Sequence, residues 1–527
     1  MNSFLFERSS GNLGPNEFAR LQTASLLKSF AAAPRLRFDG GERAADAAAA
    51  GGSGDGNGDG DGDGASRASL WAHQAGVTAL TLERFDGRIL ISGGSDAVIK
   101  IWDLEQCSNP SQSHTHRPVA VVARASSDSS RPGPAAATTA AGHRFGITHL
   151  SFYPFDSAAF LSSSHDQTLK LWSTERAAVS GTFQLGARAY THALSPVASH
   201  LLVACGTQHP AVRLVDLRSS AAVHSLISPG QLGGSAGATL AVAWSPAHEH
   251  VLAAGSVDGA VRLWDVRKSN GLVALLDQED ITALAAAQQQ QGGRRPPPPQ
   301  PPNLSAKAHA GPVNGLTWTD DGAYLVSAGH DRRIRVWDAA TGANTLASFG
   351  PSIRNNSQQQ MGTTVTMFVS PRGLTPPGRE LLFFPNETEI LVLDLHEGSI
   401  VTRLRGGGGM GPAAVASVVG TPPPQQQRGG ERRTVRNRVT SLVWRGTGGS
   451  GGSSGGAVMG GSNAPGGLYS GHLDGQIRAW LPHLEGADDE AAEDRYDDAQ
   501  GAAAKSKKRK ALDDAFRSLM GKQITFS

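Results

Sequence analysis

Five segments of this 527-residue chain repeat one pattern, and that repetition restricts the possible folds more than any other feature. Each segment has a short apolar strand, a turn with an aspartate, an alternating strand, and a tryptophan six residues after the aspartate. The copies are Leu90–Asp103, Phe160–Ser173, Val251–Asp265, Tyr324–Asp338 and Leu468–Leu481. Because one such unit cannot bury its apolar face alone, the units must stack on one another. The pattern therefore predicts a repeat architecture.

Two degenerate copies lie between the clear ones. Leu201–Asp216 has Val215 in place of the tryptophan, and Glu380–Asp394 has Leu393 there. Five clear and two degenerate copies make seven, and the pattern is typical of the WD40 repeat, which folds as four strands per propeller blade. The sequence predicts an all-β, seven-bladed WD40 β-propeller with a short helical N-terminal head and with disordered insertions and tail.

Polar residues recur at fixed offsets within these repeats. Four copies have a serine four residues before the aspartate, and three have a histidine 18 or 19 residues before that serine. A buried carboxylate needs such hydrogen-bonding partners. Catalysis needs one Ser-His-Asp set and not several, so the recurrence favours a structural role and a protein that is not an enzyme. The structural set is His73, Ser92, Asp96, Trp102, His143, Ser162, Asp166, Trp172, Asp258, His309, Ser327, Asp331, Trp337, Ser470, Asp474 and Trp480.

Low-complexity insertions account for the irregular spacing of the repeats. They are Ala45–Ser66, Ser108–Ala140, Ala285–Ser305, Arg405–Asn437 and Gly446–Gly467. Their Gly, Pro, Gln and Ser content predicts disorder. The predicted organisation is a helical head at 1–38, a disordered linker at 39–69, one propeller at 70–484 and an acidic then basic tail at 485–527.

Composition excludes several classes of protein. The net charge is +2, which excludes a uniformly basic nucleic-acid coat. Two cysteines cannot build a disulfide framework or a Cys-rich zinc site. No apolar run is long enough to span a membrane, and we expect a soluble intracellular protein.

A short acidic run resembles the opening of a calcium-binding loop. It begins at Asp55, but Ser66 stands where the bidentate glutamate would be, and no flanking helices are evident. A flexible acidic linker is the favoured interpretation. We therefore expect no metal and no cofactor.

The two ends of the chain carry further signals. Asn16–Phe30 has Phe18, Leu21, Leu26, Leu27 and Phe30 at loosely helical spacing, which predicts either a docking helix or a helix that packs on the propeller. Ring closure is not expected to need it. In the tail, an acidic stretch precedes a basic cluster. Such a cluster is typical of a nuclear import signal, a solvated face or a nucleic-acid contact, and the import signal is the favoured interpretation. The basic residues are Lys505, Lys507, Lys508, Arg509 and Lys510. We expect a nuclear protein without direct contact to nucleic acid elsewhere.

An arginine follows one tryptophan–aspartate pair at a distance of two residues, giving Trp264, Asp265 and Arg267. Asp216 and Arg218 repeat the spacing one copy earlier. A surface salt bridge explains the motif as well as a binding role does.

Several longer stretches resemble the Cockayne syndrome group A family of WD40 substrate receptors. The head, FLFERSSGNLGP, is also similar in layout. The stretches are LISGGSDAVIKIWDLE (90–105), FYPFDSAAFLSSSHDQTLKLW (152–172), VLAAGSVDGAVRLWDVRKSNG (251–271), AHAGPVNGLTWTDDGAYLVSAGHDRRIRVW (308–337), GANTLASFG (342–350) and LYSGHLDGQIRAWLP (468–482).

This resemblance implies a non-catalytic role. Receptors of this family attach to the damaged-DNA-binding adaptor of a cullin-4 RING ubiquitin ligase and act in transcription-coupled nucleotide excision repair. They present a Cockayne syndrome group B type repair ATPase and stalled RNA polymerase II factors for ubiquitination. The adaptor-binding residues that the resemblance implies are Phe4, Leu5, Arg8, Trp264, Asp265 and Arg267. The alternative is a WD40 scaffold without a ligase, binding histones or chromatin complexes.

Overall fold

The computed structural model of the chain contains a closed ring of seven antiparallel sheets. It describes residues 9–11, 21, 23, 25–41, 71–106, 113–125, 142–219, 223–227, 237–268, 271–279, 306–355, 364–371, 374–375, 378–406, 438–445 and 467–482. Within these residues no helix is long and apolar enough to cross a membrane. The seven-bladed propeller predicted from the repeats is confirmed, and both degenerate copies form blades.

Short strands make up nearly all of the regular secondary structure in the described residues, with one 3₁₀ helix at Leu104–Gln106. The strands are β1 (Phe30–Ala32), β2 (Leu36–Phe38), β3 (Val77–Leu82), β4 (Ile89–Gly94), β5 (Ile99–Asp103), β6 (His114–His116), β7 (Pro118–Val122), β8 (Ile147–Phe152), β9 (Ala159–Ser164), β10 (Thr168–Ser173), β11 (Ala178–Gln184), β12 (Ala189–Leu194), β13 (Leu202–Thr207), β14 (Val212–Asp216), β15 (Val223–Leu226), β16 (Thr239–Trp244), β17 (Val251–Ser256), β18 (Val261–Asp265), β19 (Leu272–Leu276), β20 (Val313–Trp318), β21 (Tyr324–Gly329), β22 (Ile334–Asp338), β23 (Phe368–Val369), β24 (Leu381–Asn386), β25 (Glu389–Asp394), β26 (Ile400–Arg405), β27 (Val439–Arg445), β28 (Gly467–His472) and β29 (Ile477–Pro482).

Each blade is a meander with its first strand innermost. Blades 1 to 4 are β3-β4-β5-β7, β8 to β11, β12 to β15 and β16 to β19; blade 5 is β20 to β22, blade 6 is β23 to β26, and blade 7 is β27-β28-β29-β1. In blade 5, Asn344 bridges Trp337 in place of a fourth strand. We call the face with the first-to-second and third-to-fourth strand loops the lower face, and the opposite one the upper face.

Apolar side chains fill the space between neighbouring blades. The repeat tryptophans are almost fully buried, as are Val215 and Leu393 at the two degenerate positions. Aliphatic residues therefore fill the place of the indole in blades 3 and 6. Because burying each large side chain stabilises the fold by roughly 1.5–3 kcal/mol, the stacked blades hold one another in place.

The head supplies part of the ring, which corrects the expectation that closure does not need it. Residues Phe30–Ala32 pair with Pro482–Trp480 as the outer strand of blade 7. The chain then pairs β2 in parallel with β6 beside blade 1. Gly40 O accepts a 3.1 Å hydrogen bond from the buried ammonium of Lys100. Residues 30–40, which we call the closure strap, therefore join the last blade to the first.

The segment just before the strap packs on the propeller. Ser25–Lys28 is helical, Leu27 is fully buried, and the hydroxyl of Thr23 donates to Leu374 O at 2.9 Å. Leu27 and Phe30 join an apolar cluster of blades 6 and 7. This contact supports the packing interpretation for the end of the predicted head helix, while Phe18 lies outside the described residues.

One predicted insertion is partly ordered. Disorder across Ser108–Ala140 is wrong for residues 113–125, because β6 and β7 lie there. Pro118 opens the outer strand of blade 1, an edge position that tolerates the missing N–H. Residues 45–66, 285–305, 407–437 and 446–466, the acidic run at Asp55 and the tail lie outside the described residues.

Candidate functional site

A hydrogen-bonded chain of four side chains connects the recurring polar residues in blades 1, 2 and 5. In blade 1, Trp102 Nε1 donates to Ser92 Oγ at 2.9 Å, Ser92 Oγ lies 2.7 Å from His73 Nε2, and His73 Nδ1 lies 3.1 Å from Asp96 Oδ2. We call this arrangement the tetrad. Its equivalents are Trp172, Ser162, His143 and Asp166 in blade 2, and Trp337, Ser327, His309 and Asp331 in blade 5.

The tetrads provide hydrogen-bond partners for buried polar groups. Burial alone would raise the pKa of Asp96, but the hydrogen bond and charge of His73 outweigh it and lower that pKa. Burial lowers the pKa of His143 and of His309. A neutral histidine that donates from Nδ1 and accepts at Nε2 fits the chain in blade 2. In blade 5 the guanidinium of Arg335 also lies against this set, 2.6 Å from His309 Nδ1 and 2.9 Å from Asp331 Oδ2. The serine hydroxyls are fully buried, so this geometry offers no nucleophile to a substrate.

Blades 4 and 7 depart from the tetrad. In blade 7, Ser470 bonds Trp480 and His472, and Asp474 pairs instead with Arg478. In blade 4, Asp258 pairs with Arg262 at 2.6 Å. The serine position of that blade is Ala254, and the buried Nε1 of Trp264 has no hydrogen-bond partner within the described residues.

Replacing Ala254 with serine is expected to stabilise the protein by about 1 kcal/mol, because the new hydroxyl would accept from the orphaned Trp264 Nε1. Ser327→Ala is the opposite change in blade 5. It should destabilise the protein by about 1–3 kcal/mol, because Trp337 and His309 would each lose their hydrogen bond to this hydroxyl. Thermal melts of both variants beside the wild type measure this. A lower melting temperature for Ala254→Ser would contradict the assignment.

On the lower face, Arg267 and Asp265 form a bidentate ion pair. Arg267 NH2 lies 2.9 Å from Asp265 Oδ2, and Arg267 Nε donates to Oδ1 at 3.0 Å. This hydrogen bonding is the main cause that lowers the pKa of Asp265 to about 2. The Arg267 side chain is 63% exposed, whereas that of Asp265 is 7% exposed. The aspartate therefore orients a guanidinium that remains available to a partner.

The other residues of the predicted docking set are placed differently. Trp264 is 1% exposed and belongs to an interblade apolar cluster, so a direct contact between its ring and a partner is excluded. Phe4, Leu5 and Arg8 lie outside the described residues. Of the predicted set, Arg267 is the described side chain that can reach a partner.

Sequence reasoning missed three exposed apolar residues on the same face. Phe85, Phe155 and Val197 lie in the first-to-second strand loops of blades 1, 2 and 3, with 38%, 49% and 42% of their surface exposed. Apolar residues in loops between strands were the available signal. With Arg267 in blade 4, they give the lower face a mixed apolar and basic surface, which suits a protein partner.

Within the described residues, no group of three or more His, Cys, Asp or Glu side chains is placed to hold a metal ion. Cys205 is a free, buried thiol whose pKa burial raises to about 12. It is therefore a core residue and not a reactive one.

Acid is expected to weaken the fold through buried histidines. Burial lowers the pKa of His116, which stacks on Phe38 of the closure strap, to about 4, and lowers that of His149 to about 4. Since the unfolded chain binds these protons near pH 6.5, stability is complete above that pH and falls as the pH drops toward 4. Each histidine should lower the free energy of unfolding by roughly 2 kcal/mol at pH 5.

Urea midpoints at pH 7.5 and pH 5 measure this loss. His149→Leu should show a smaller fall in midpoint between the two conditions than the wild type. A wild-type midpoint that is equal at both pH values would contradict the expectation.

The comparisons with known proteins agree with this architecture. The family profile described as WD domain, G-beta repeat, matches residues 64–103, 137–173, 229–265 and 302–338, in blades 1, 2, 4 and 5. The chain is 30% identical over 346 residues to WD repeat-containing protein ATCSA-1 of Arabidopsis thaliana, covering 55% of this chain and 72% of the relative.

Two further relatives match shorter regions. Radiation-sensitive protein 28 of Saccharomyces cerevisiae is 28% identical over 197 residues, which is 37% of this chain and 38% of the relative. Ribosome biogenesis protein YTM1 of Phaeosphaeria nodorum is 30% identical over 204 residues, which is 38% of this chain and 42% of the relative.

The fold and the recurring tetrads define a seven-bladed propeller protein whose described surfaces suit protein partners. The chain belongs to the WD40 repeat family.

Proposed function

We propose that this protein is a substrate receptor of a cullin-4 RING ubiquitin ligase in transcription-coupled nucleotide excision repair. The observation that carries the proposal is the exposed guanidinium of Arg267, oriented by Asp265 on the lower face. The resemblance implies an adaptor contact at this residue. Similarity to ATCSA-1, extending over 72% of that protein, supports the same assignment.

The lower face is the proposed docking surface for the adaptor. Arg267 provides a charged anchor, and Phe85, Phe155 and Val197 provide exposed apolar area on the same face. The helical segment that ends at Lys28 packs near the lower-face loop of blade 6, as its hydrogen bond to Leu374 indicates. Phe4, Leu5 and Arg8 are proposed to extend this surface, although they lie outside the described residues.

The upper face is then free to hold a repair ATPase or a polymerase factor. The receptor acts by raising the effective concentration of a substrate lysine near the charged conjugating enzyme, without chemistry of its own. The basic cluster Lys505–Lys510 is proposed to direct the protein to the nucleus.

Similarity to YTM1 favours a second candidate, a scaffold in ribosome biogenesis. Such a scaffold would use the same propeller to bind assembly factors and would not bind a ligase adaptor. A histone- or chromatin-binding scaffold is the remaining alternative.

Co-purification of the full chain from nuclear extract separates these functions. We expect recovery of the adaptor and the cullin, joined by repair and polymerase factors after transcription-blocking damage. Recovery of ribosomal precursor particles, or of histones, without the adaptor would overturn the ligase assignment in favour of the corresponding scaffold.

A further inference from the structure

A cavity at the upper mouth of the central channel has the chemistry of an anion site. Its volume is about 180 Å³, and its walls include Arg438, His165, Tyr190 and Leu473. No carboxylate lines it within the described residues. The cavity lies on the side of blades 1, 2 and 7, away from the lower-face docking surface.

Blade 6 creates this cavity by filling the other side of the channel. The hydroxyl of Thr364 donates to Leu240 O at 3.1 Å, and Val365 N donates to Asn314 O at 2.9 Å. The hydroxyl of Thr366 donates to Thr440 O at 3.2 Å. These bonds to blades 4, 5 and 7 place the segment inside the channel. The remaining space is therefore small enough to enclose a side chain and too small for a folded element.

Arg438 is the principal cation in the cavity wall. Burial lowers its pKa, and the negative charge of Glu387 acts in the opposite direction. That carboxylate lies 3.6 Å from Arg354, while the guanidinium of Arg438 has no ion pair or hydrogen bond within the described residues. Arginine remains charged at neutral pH, so an unpaired, half-buried guanidinium gains free energy when an anion binds beside it.

His165 adds an unused hydrogen-bonding group. Its Nδ1 is buried without a partner within the described residues, and its ring lies edge-on to Tyr190 at 6.0 Å between centroids. Burial lowers the pKa of His165, the positive charge of Arg188 lowers it further, and the negative charge of Asp166 opposes both. Arg188 therefore lies close enough to contribute to the same positive potential.

The position that these two arginines occupy is not basic in most of the other blades. Arg188 and Arg438 each stand immediately before the innermost strand of their blades, β12 and β27. The equivalent residues of blades 1, 2, 4 and 5 are Gly76, Gly146, Ala238 and Pro312. The two cations therefore flank blades 1 and 2, from blade 7 and blade 3, and Arg438 is the one that lines the cavity.

We propose that this cavity binds an acidic side chain of an extended segment in a partner protein, with its carboxylate or phosphate beside Arg438. Leu473 and Pro385 are placed in the wall to contact the methylene groups of that side chain. The small, concave shape of the cavity favours a peptide side chain over a nucleic acid, which would follow an open basic stripe. Identifying this partner as a ubiquitination substrate rests on the proposed function, whereas the binding itself does not.

Fluorescence polarisation with the full-length protein tests the site. The probe is a labelled peptide of alternating glutamate and glycine, with a glutamine–glycine peptide and a phosphoserine–glycine peptide as comparisons. Arg438→Gln should weaken binding of the glutamate peptide about tenfold, as expected for loss of one charge-assisted contact. Arg188→Gln should weaken it less. The control Arg379→Gln, which removes an arginine paired with Glu397, should leave it unchanged.

The outcomes decide between the possible ligands. Tighter binding of the phosphoserine peptide would support the site with phosphate as its anion. Equal binding of the glutamine peptide, equal affinity of a folded Arg438→Gln protein, or displacement by a poly(dT) oligonucleotide would overturn the proposal. If Arg438→Gln does not fold, the result for Arg188→Gln decides. Peptide binding without any adaptor binding would keep this site and reject the ligase assignment.

Discussion

Replacing Arg267 with glutamate is expected to weaken adaptor binding at least about thirtyfold while leaving the propeller folded, since loss of a central interface arginine costs 2 kcal/mol or more. The Arg267 side chain is 63% exposed, and its guanidinium pairs with Asp265. The glutamate would remove the anchor and add a like charge beside that aspartate. Calorimetric titration with purified adaptor measures the change, and Arg267→Ala should show a smaller loss.

The matched control is Arg333→Glu, which makes the same charge change at an exposed position on the upper face. It should bind the adaptor like the wild type. If the Arg267 variants keep wild-type affinity while their melting temperatures are unchanged, Arg267 has no docking role. If Arg333→Glu alone weakens the complex, the adaptor uses the opposite face.

Deleting residues 1–40 is expected to destabilise the propeller severely, whereas deleting residues 1–20 should leave it folded. The longer deletion removes the outer strand of blade 7 and the β2–β6 pair. It also removes Phe38, which is 3% exposed and packs edge-on against Trp102 of blade 1 and Tyr469 of blade 7. The junction between the first and last blades would lose both its backbone hydrogen bonds and its apolar contacts.

Point variants separate this role from a general effect of truncation. Phe38→Ala should cost about 3–5 kcal/mol, the usual loss for a buried phenylalanine. Phe155→Ala is the control, because that ring is 49% exposed and should matter little to stability. Thermal and urea melts measure both. A deletion of residues 1–40 that melts like the full chain would contradict the closure role.

The blade count could be predicted because each repeat carries its own signal. The aspartate-to-tryptophan spacing identified five blades, and strand alternation identified the two in which Val215 and Leu393 replace the tryptophan. The second and third strands of each blade, which carry the signal, lie within a few residues of each other, so local patterns were sufficient.

The closure strap could not be predicted in the same way. β1 and β2 are three residues long, and the partner of Phe30 is Pro482, at the far end of the repeats. Such short strands show no measurable alternation. Strand β7 was missed for a related reason, because it lies in a Ser-, Pro- and Ala-rich stretch that is typical of disorder.

The candidate site could likewise be predicted only in part from the sequence. Arg267 could be singled out because it follows a recognisable tryptophan–aspartate pair. The burial of Trp264 and the exposure of Phe85 depend on how the blades stack, which the sequence does not state. Arg438 could not be singled out from the sequence, because its equivalence to Arg188 depends on where β27 and β12 begin.

Hydrogen–deuterium exchange of the full chain, alone and with purified adaptor, tests whether the lower face binds the adaptor. We expect slowed exchange in the lower-face loops, above all in the loop of Arg267 between β18 and β19, with exchange in the upper-face turns unchanged. Unchanged exchange in the lower-face loops of a saturated sample, or protection confined to the upper face, would contradict it.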